Sequence, residues 1–263
     1  MATQEKWALI LGASSGFGAC TSIELAKHGM NIIGVHLDRK GTLPEVDNVM
    51  KSIKETGRQA LFFNVNAADA QKRAEVLDAV SPKIIGHGQV ALVLHSLAFG
   101  TLKPYIGTDP KECLTQHQLE MTLDVMANSL VYWVQDLFFR KLISQGSRIF
   151  AMTSAGGRRV WPNYGAVSAA KAALESHIRQ IAMELAPFGI TANTIRAGVT
   201  DTPALRKIPG NEQMVELATL RNPHHRLTST KDVAKAIAAF SSSATQWMTG
   251  NVIGIDGGED IVG

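Results

Sequence analysis

Tyr164 and Lys171 stand seven residues apart. On a helix that spacing is two turns along one face, so a phenol and an ammonium can both point into one cleft. A phenol so placed can donate a hydrogen bond or a proton to an oxygen that gains charge, and a nearby ammonium favours its ionised form. A second segment with chemical potential lies near the start, Gly12-Ala-Ser-Ser-Gly16-Phe-Gly18. Its glycines let the backbone turn sharply and approach a pyrophosphate closely. A helix that follows offers free N–H groups and the positive end of its dipole. The spacing is G-x-x-x-G-x-G, which differs from the G-x-G-x-x-G of the general dinucleotide fingerprint.

The elements that must position these groups are legible as an alternation. Short runs rich in β-branched residues, apolar on both faces, occur at 7–11, 31–35, 60–65, 90–95, 148–153, 191–195 and 252–255. Strands of a covered parallel sheet have that character. Between them lie helical stretches near 16–28, 46–56, 69–80, 115–142, 163–186 and 230–242. The alternation predicts an α/β fold: a Rossmann-type, doubly wound parallel sheet of about seven strands, helices on both faces, in one domain over residues 1–263. Such sheets bind ligands at the C-terminal ends of their strands, where the glycine loop falls. The stretch 200–227 breaks the rhythm with Pro203, Pro209, Gly210 and Pro223 and has room for one short helix at most. Long irregular segments in compact domains usually serve as lids or binding loops.

Composition narrows the class. The 263 residues are 45% hydrophobic and 19% charged, with a formal net charge of +3. That balance is globular, and without a long Lys/Arg run it gives no expectation of nucleic acid. The opening segment has no basic region followed by a long apolar stretch, so a cytoplasmic location and no membrane partner are expected. Cys20 and Cys113 show no ligand-like spacing, and His28, His36, His87 and His117 none either, so no metal site is expected.

The glycine spacing resembles that of the short-chain dehydrogenase/reductase family, and the likeness runs from Lys6 to about Gly258. Asn64-Val65 resembles the family's adenine-contacting Asp-Val. Ala197-Gly198-Val199-Thr200-Asp201-Thr202 resembles Pro-Gly-x-Ile-x-Thr, and Ile255-Asp256-Gly257-Gly258 the segment after the last strand. The family's usual Tyr-x-x-x-Lys would put its tyrosine at Val167, which cannot act as an acid. Tyr164-x6-Lys171, together with Trp161-Pro162-Asn163 and His95-Ser96-Leu97-Ala98-Phe99, resembles the divergent branch containing the enoyl-acyl-carrier-protein reductases.

That resemblance implies roles. Tyr164 would serve the developing enolate oxygen, Lys171 would hold the nicotinamide ribose hydroxyls, and Ser154 aligns with the family's catalytic serine. The family's catalytic Asn falls on Met126, with Asn128 two residues later. Gly12, Ser14, Gly16, Phe17 and Gly18 would line the dinucleotide pyrophosphate, Asn64 and Val65 the adenine, and Ser96 and Leu97 the nicotinamide, with Ser15, Thr200 and Thr202 also binding the cofactor. Relative to the usual position the phenol is displaced by three residues, about 4.5 Å along the helix axis. Hydride addition to C3 of an unsaturated thioester builds charge on an oxygen two carbons further on, so a more distant acid suits it.

Asp38, Arg39 and Lys40 follow the second strand. Asp38 could meet a ribose hydroxyl, whereas Arg39 and Lys40 suit a 2′-phosphate, so NADPH is expected with NADH possible. The reading is an enoyl thioester reductase of fatty-acid synthesis, its substrate on acyl carrier protein, assembled as a homotetramer. Residues 203–221 would form a lid whose Arg206, Lys207 and Arg221 meet the acidic carrier. The alternatives are a carbonyl reductase or alcohol dehydrogenase of the same family and a non-catalytic NAD(P)-sensing protein.

Overall fold

The computed structural model describes residues 4–262. Seven strands form one sheet: β1 (Glu5–Leu11), β2 (Asn31–His36), β3 (Ala60–Asn64), β4 (Gly88–His95), β5 (Arg148–Ser154), β6 (Thr191–Ala197) and β7 (Val252–Ile255). Their order is β3-β2-β1-β4-β5-β6-β7, and every neighbouring pair is parallel. From β1 the chain proceeds outward on one side to β2 and β3 and on the other to β4 and beyond. That reversal opens a crevice at the C-terminal ends of β1 and β4.

Alternate residues of each strand face opposite layers. Trp7, Leu9, Leu11, Val93 and Ala151 join a core covered by α3 (Ala70–Ile84), α5 (Ser129–Phe139) and α6 (Gly165–Leu185). Ala8, Ile10, Leu92, Leu94, Phe150 and Met152 join the other core, covered by α1 (Gly16–Lys27), α2 (Leu43–Glu55) and α8 (Thr230–Phe240). Burial on both faces is why the central strands read as unbroken apolar runs.

Two helices differ from expectation in ways that shape the site. The stretch 115–142 is not one helix: α4 (Gln116–Leu123) passes through a π-helical turn, Asp124–Asn128, into α5. The Ser129 hydroxyl donates to the Val125 carbonyl at 2.8 Å across that turn, and Met126 is turned into the core. Such turns recur at functional sites because they re-aim side chains. The other is α6, which starts at Gly165 with Tyr164 as its N-cap residue. Asn163, at φ +63°, bends the chain immediately before it. The segment 200–227 holds one helix, α7 (Asn211–Arg221), preceded by a 3-10 turn, Leu205–Lys207. Among the described residues no helix is long and apolar enough to cross a membrane, and no group of three His, Cys, Asp or Glu side chains could hold a metal ion.

Candidate active site

The loop from β1 to α1 leaves no room for side chains at two of its glycines. A Cβ on Gly12 would lie 2.4 Å from the Ser96 carbonyl oxygen, and one on Gly18 2.0 Å from the Gly12 carbonyl oxygen. Gly12 also has φ +91°, a conformation that suits glycine. Ser15 is the extended N-cap of α1, and its side chain makes no capping hydrogen bond. The first N–H groups of α1 are therefore left for another acceptor, which is how a helix start binds phosphate. Thr202 closes the opposite side, its Cγ2 3.5 Å from where a Gly16 Cβ would be. Thr200 and Thr202 are buried; the Thr200 hydroxyl donates to the Gly198 carbonyl at 3.0 Å. Ser96 donates its N–H to the Leu11 carbonyl at 2.8 Å, and Leu97 lies against Gly12. Phe17 packs against the core beneath α1. This cradle fits the pyrophosphate of a dinucleotide.

At the adenosine end, the Asn64 side chain pins the backbone of Asp38. It accepts from the Asp38 N–H at 2.9 Å and donates to the Asp38 carbonyl at 3.0 Å. The Asp38 carboxylate lies 2.9 Å from Nδ1 of the buried His36. Burial raises its pKa, but hydrogen bonds from Thr42, Ser14 and His36 outweigh that, and the net shift is downward. Asp38 is therefore ionised and held beside the glycine loop. Arg39 and Lys40 are exposed and make no ion pair among the described residues. Val65 packs on the core at the end of β3 and donates its N–H to the His36 carbonyl.

Tyr164, Lys171 and Ser154 converge on the C-terminal end of β5. Lys171 is buried and donates through Nζ to the Met152 carbonyl at 2.6 Å. Burial pushes its pKa down to about 8, and Glu175 pulls it back up in part. Gly156 makes space for the tyrosine: a Cβ there would lie 2.5 Å from the Tyr164 ring and 3.2 Å from Ser154 Oγ. Burial raises the Tyr164 phenol above its ordinary value, with the Ser154 hydroxyl acting in the opposite sense. Desolvation penalises the phenolate more than the Ser154 hydroxyl relieves it, so the phenol is protonated.

The position of the family's usual acid is closed. Val167 is buried, and a Cβ on Gly100 would lie 2.7 Å from its Cγ2, 2.8 Å from Thr122 Cγ2 and 2.9 Å from Met126 Sδ. Val167 and Met126, the two departures from the usual pattern, thus pack around one backbone point. Asn128 does not substitute for the missing asparagine beside Lys171. Its Oδ1 accepts from the His177 ring at 3.1 Å.

Four residues to which the sequence assigned no role shape the site. His95 Nε2 lies 2.9 Å from Ser129 Oγ. The Ser129 proton is committed to Val125, so Nε2 carries the ring proton and Nδ1 is a buried acceptor without a partner among the described residues. Burial, aided by the Lys171 charge, pushes the His95 pKa down to about 3, so the ring is neutral. Tyr105 lays its ring over the start of α6, 2.6 Å from where a Gly165 Cβ would be. Gly100 and Gly156 matter for the backbone space they leave. Only the His-Ser-Leu motif hinted at any of these in advance.

At the mouth, Phe99, Ile106 and Val160 are large, apolar and exposed. Trp161 Nε1 donates to the Pro209 carbonyl at 3.1 Å, tying this rim to the 203–221 segment. Within that segment Arg206 is already paired, reaching Asp201 at 2.8 and 2.9 Å, whereas Lys207 and Arg221 are exposed.

Residues 12–259 match the family model described as Enoyl-(Acyl carrier protein) reductase. The chain belongs to this branch of the short-chain dehydrogenase/reductases. This reductase is 26% identical to 1-cyclohexenylcarbonyl-CoA reductase of Streptomyces collinus, over 99% of the chain and 89% of that protein. It is 25% identical to versicolorin reductase 1 of Dothistroma septosporum, over 96% and 95%. Its fold is that of an enoyl-[acyl-carrier-protein] reductase (NADH) from Aquifex aeolicus, with a TM-score of 0.83 at 22% identity, over 98% and 97%. Solved structures of this fold carry NAD, NADP or NADH. The protein is an oxidoreductase of that family.

Proposed function

We propose that this reductase reduces the trans-2 double bond of enoyl thioesters in fatty-acid biosynthesis. The observation that carries the reading is the pairing of a closed position with an open one. Apolar packing of Val167, Met126 and Gly100 fills the place of the family's usual acid, while a protonated phenol stands three residues earlier beside Ser154. An acid so displaced serves an oxygen remote from the reacting carbon, as an enolising thioester requires.

When bound, the dinucleotide would supply the hydride. Tyr164 would donate to the thioester oxygen as charge builds there, and Lys171 would hold the ribose hydroxyls. His95, close enough to feel the Lys171 charge, stays a neutral ring and adds no second positive charge near the ammonium. The apolar rim of Phe99, Ile106 and Val160, continued by the 203–221 segment, covers the acyl chain. Lys207 and Arg221 remain free to meet an acidic carrier protein; Arg206, bound to Asp201, contributes less than the sequence implied. The working form in this reading is a cytoplasmic homotetramer, and a monomer by light scattering at micromolar concentration would remove the assembly from it.

For the cofactor, Asp38 and the Arg39-Lys40 pair oppose each other. The ionised carboxylate welcomes a ribose hydroxyl and faces a 2′-phosphate unfavourably; the two cations do the reverse. Both NADPH and NADH should therefore turn over, with NADPH better by about tenfold or less, since exposed charges are individually worth about 1 kcal/mol. A preference above about a hundredfold either way would overturn this.

The deciding assay compares crotonyl and acetoacetyl thioesters with each cofactor. Consumption of NAD(P)H with the crotonyl thioester supports the reading. Reduction of the ketone alone replaces it with a carbonyl reductase, and turnover of neither leaves a non-catalytic nucleotide-binding protein.

A further inference from the structure

The C-terminal turn after β7 touches both walls of the cleft through two consecutive carboxylates. Gly257 and Gly258, at φ +62° and +87°, turn the chain so that Glu259 and Asp260 face different loops. Asp260, its side chain 10% exposed, binds three arginines. Arg158 reaches it through Nη2, Arg159 at 3.0 Å and Arg196 at 3.1 Å. Arg159 also donates to the Asp260 carbonyl at 3.0 Å. Arg158 and Arg159 directly follow the turn Ala155–Gly157, whose Gly156 makes room for the Tyr164 ring. Glu259 instead accepts the Val199 N–H at 3.0 Å, at the start of the loop that carries Thr200 and Thr202. A Cβ on Gly198 would lie 2.8 Å from that Glu259 oxygen, so the carboxylate sits directly against the Gly198 backbone.

We infer that residues 257–260 act as a clasp in which Asp260 positions the Tyr164 loop and Glu259 positions the cofactor loop. The inference rests on the reading of Tyr164 as the acid and of the Thr200–Thr202 loop as a cofactor wall. An exposed ion pair would contribute little. Here one nearly buried carboxylate is shared among three guanidiniums from two segments. Arg196, on β6, is mostly buried and among the described residues has otherwise only Asp256 at 4.0 Å as a counter-charge. Removing Asp260 therefore frees the 155–163 loop and leaves Arg196 short of a counter-charge. Arg158, Arg159, Glu259 and Asp260 lie outside every group the mechanism uses, and act through the residues they hold.

The test is a split between kinetic constants, which simple loss of stability would not produce. Asp260→Asn should lower kcat for the crotonyl thioester roughly tenfold to a hundredfold, as small displacements of a catalytic group do, with cofactor KM within about twofold. Glu259→Ala should do the reverse, raising cofactor KM severalfold with a smaller change in kcat. Arg158→Gln with Arg159→Gln should reproduce the Asp260→Asn kcat loss, and provides the measurement if Asp260→Asn does not fold. Asp260→Glu should recover part of it. In a Trp247→Phe background, acrylamide quenching of Trp161 should rise in Asp260→Asn, since Trp7 and Trp133 are fully buried and silent. Parental constants in these variants, or kcat and cofactor KM affected alike in Asp260→Asn and Glu259→Ala, would overturn the clasp. If Tyr164→Phe turns over like the parent, the reading of the acid falls. If Tyr164→Phe is impaired while Asp260→Asn and the arginine pair are parental, the clasp falls alone.

Discussion

The two halves of the cleft control charge by different means. Along β4, β5 and α6 the ionisable groups are dry: Lys171 and His95 are buried, and desolvation is the largest influence on Tyr164, Lys171 and His95 alike. It leaves a protonated phenol, a weakened ammonium and a neutral imidazole. Along β2 and β3 most of the groups are wet. Asn64, Arg39 and Lys40 are exposed; the Asp38 side chain is largely covered, but hydrogen bonds from Thr42, Ser14 and His36 override the burial of its carboxylate. In the dry half, charge states follow from burial and resist the medium. In the wet half they follow from neighbours, and salt screens them. The chemistry is thus set where water is excluded, and cofactor preference where it is not.

The most damaging way to break the dry half is at its acid. Tyr164→Phe should lower kcat by roughly 10²–10³ and leave cofactor KM nearly unchanged, as loss of one transition-state donor does. Val167→Tyr added to Tyr164→Phe should not restore turnover. The Gly100 backbone, Thr122 and Met126 already occupy the space a ring at 167 needs.

Lys171→Ala should damage both constants, because the ammonium would hold the ribose and stand beside the phenol. Its pKa of about 8 gives a sign. Below that pH the ammonium is present, and as pH rises through it the donor is lost. Cofactor kcat/KM should therefore decline above about pH 8 rather than near the ordinary lysine value. A profile flat to pH 10 would show that Lys171 is not the titrating group.

Gly156→Ala probes packing. The new methyl meets the Tyr164 ring at 2.5 Å, so the phenol must move, and kcat should fall about tenfold while the melting temperature changes by a few degrees. An unchanged kcat would mean that the ring has room elsewhere.

The smallest effects belong to the wet half. Arg39→Ala with Lys40→Ala should raise KM for NADPH several times more than for NADH, and Asp38→Ala should widen the preference for NADPH. Raising the ionic strength should shrink the difference between the two cofactors, with much less effect on kcat. Equal effects of both variants on both cofactors would erase the distinction between the halves.

The strand pattern, the parallel sheet, the glycine loop and most of the helices were legible in the sequence; the break within 115–142 was not. Local properties produce each of them: apolar runs, helical period and the backbone freedom of glycine. The spacing of Tyr164 and Lys171 was equally visible, and so was the absence of an acid at Val167. Only the tertiary structure decided what those residues mean to one another. The π-helical turn at Asp124–Asn128 buries Met126 against Gly100 and sends Asn128 to His177, an outcome that depends on Ser129 meeting His95 from a strand 34 residues away. Tyr164 is a helix cap held by Gly156, and its proton is retained because of burial, which no spacing reports. Asp38 looked free to turn either way until Asn64, brought alongside by the pairing of β2 with β3, and its near neighbour His36 held it in place. Periodicity is written residue by residue along the chain, but desolvation and long-range hydrogen bonding exist only once distant segments share a volume.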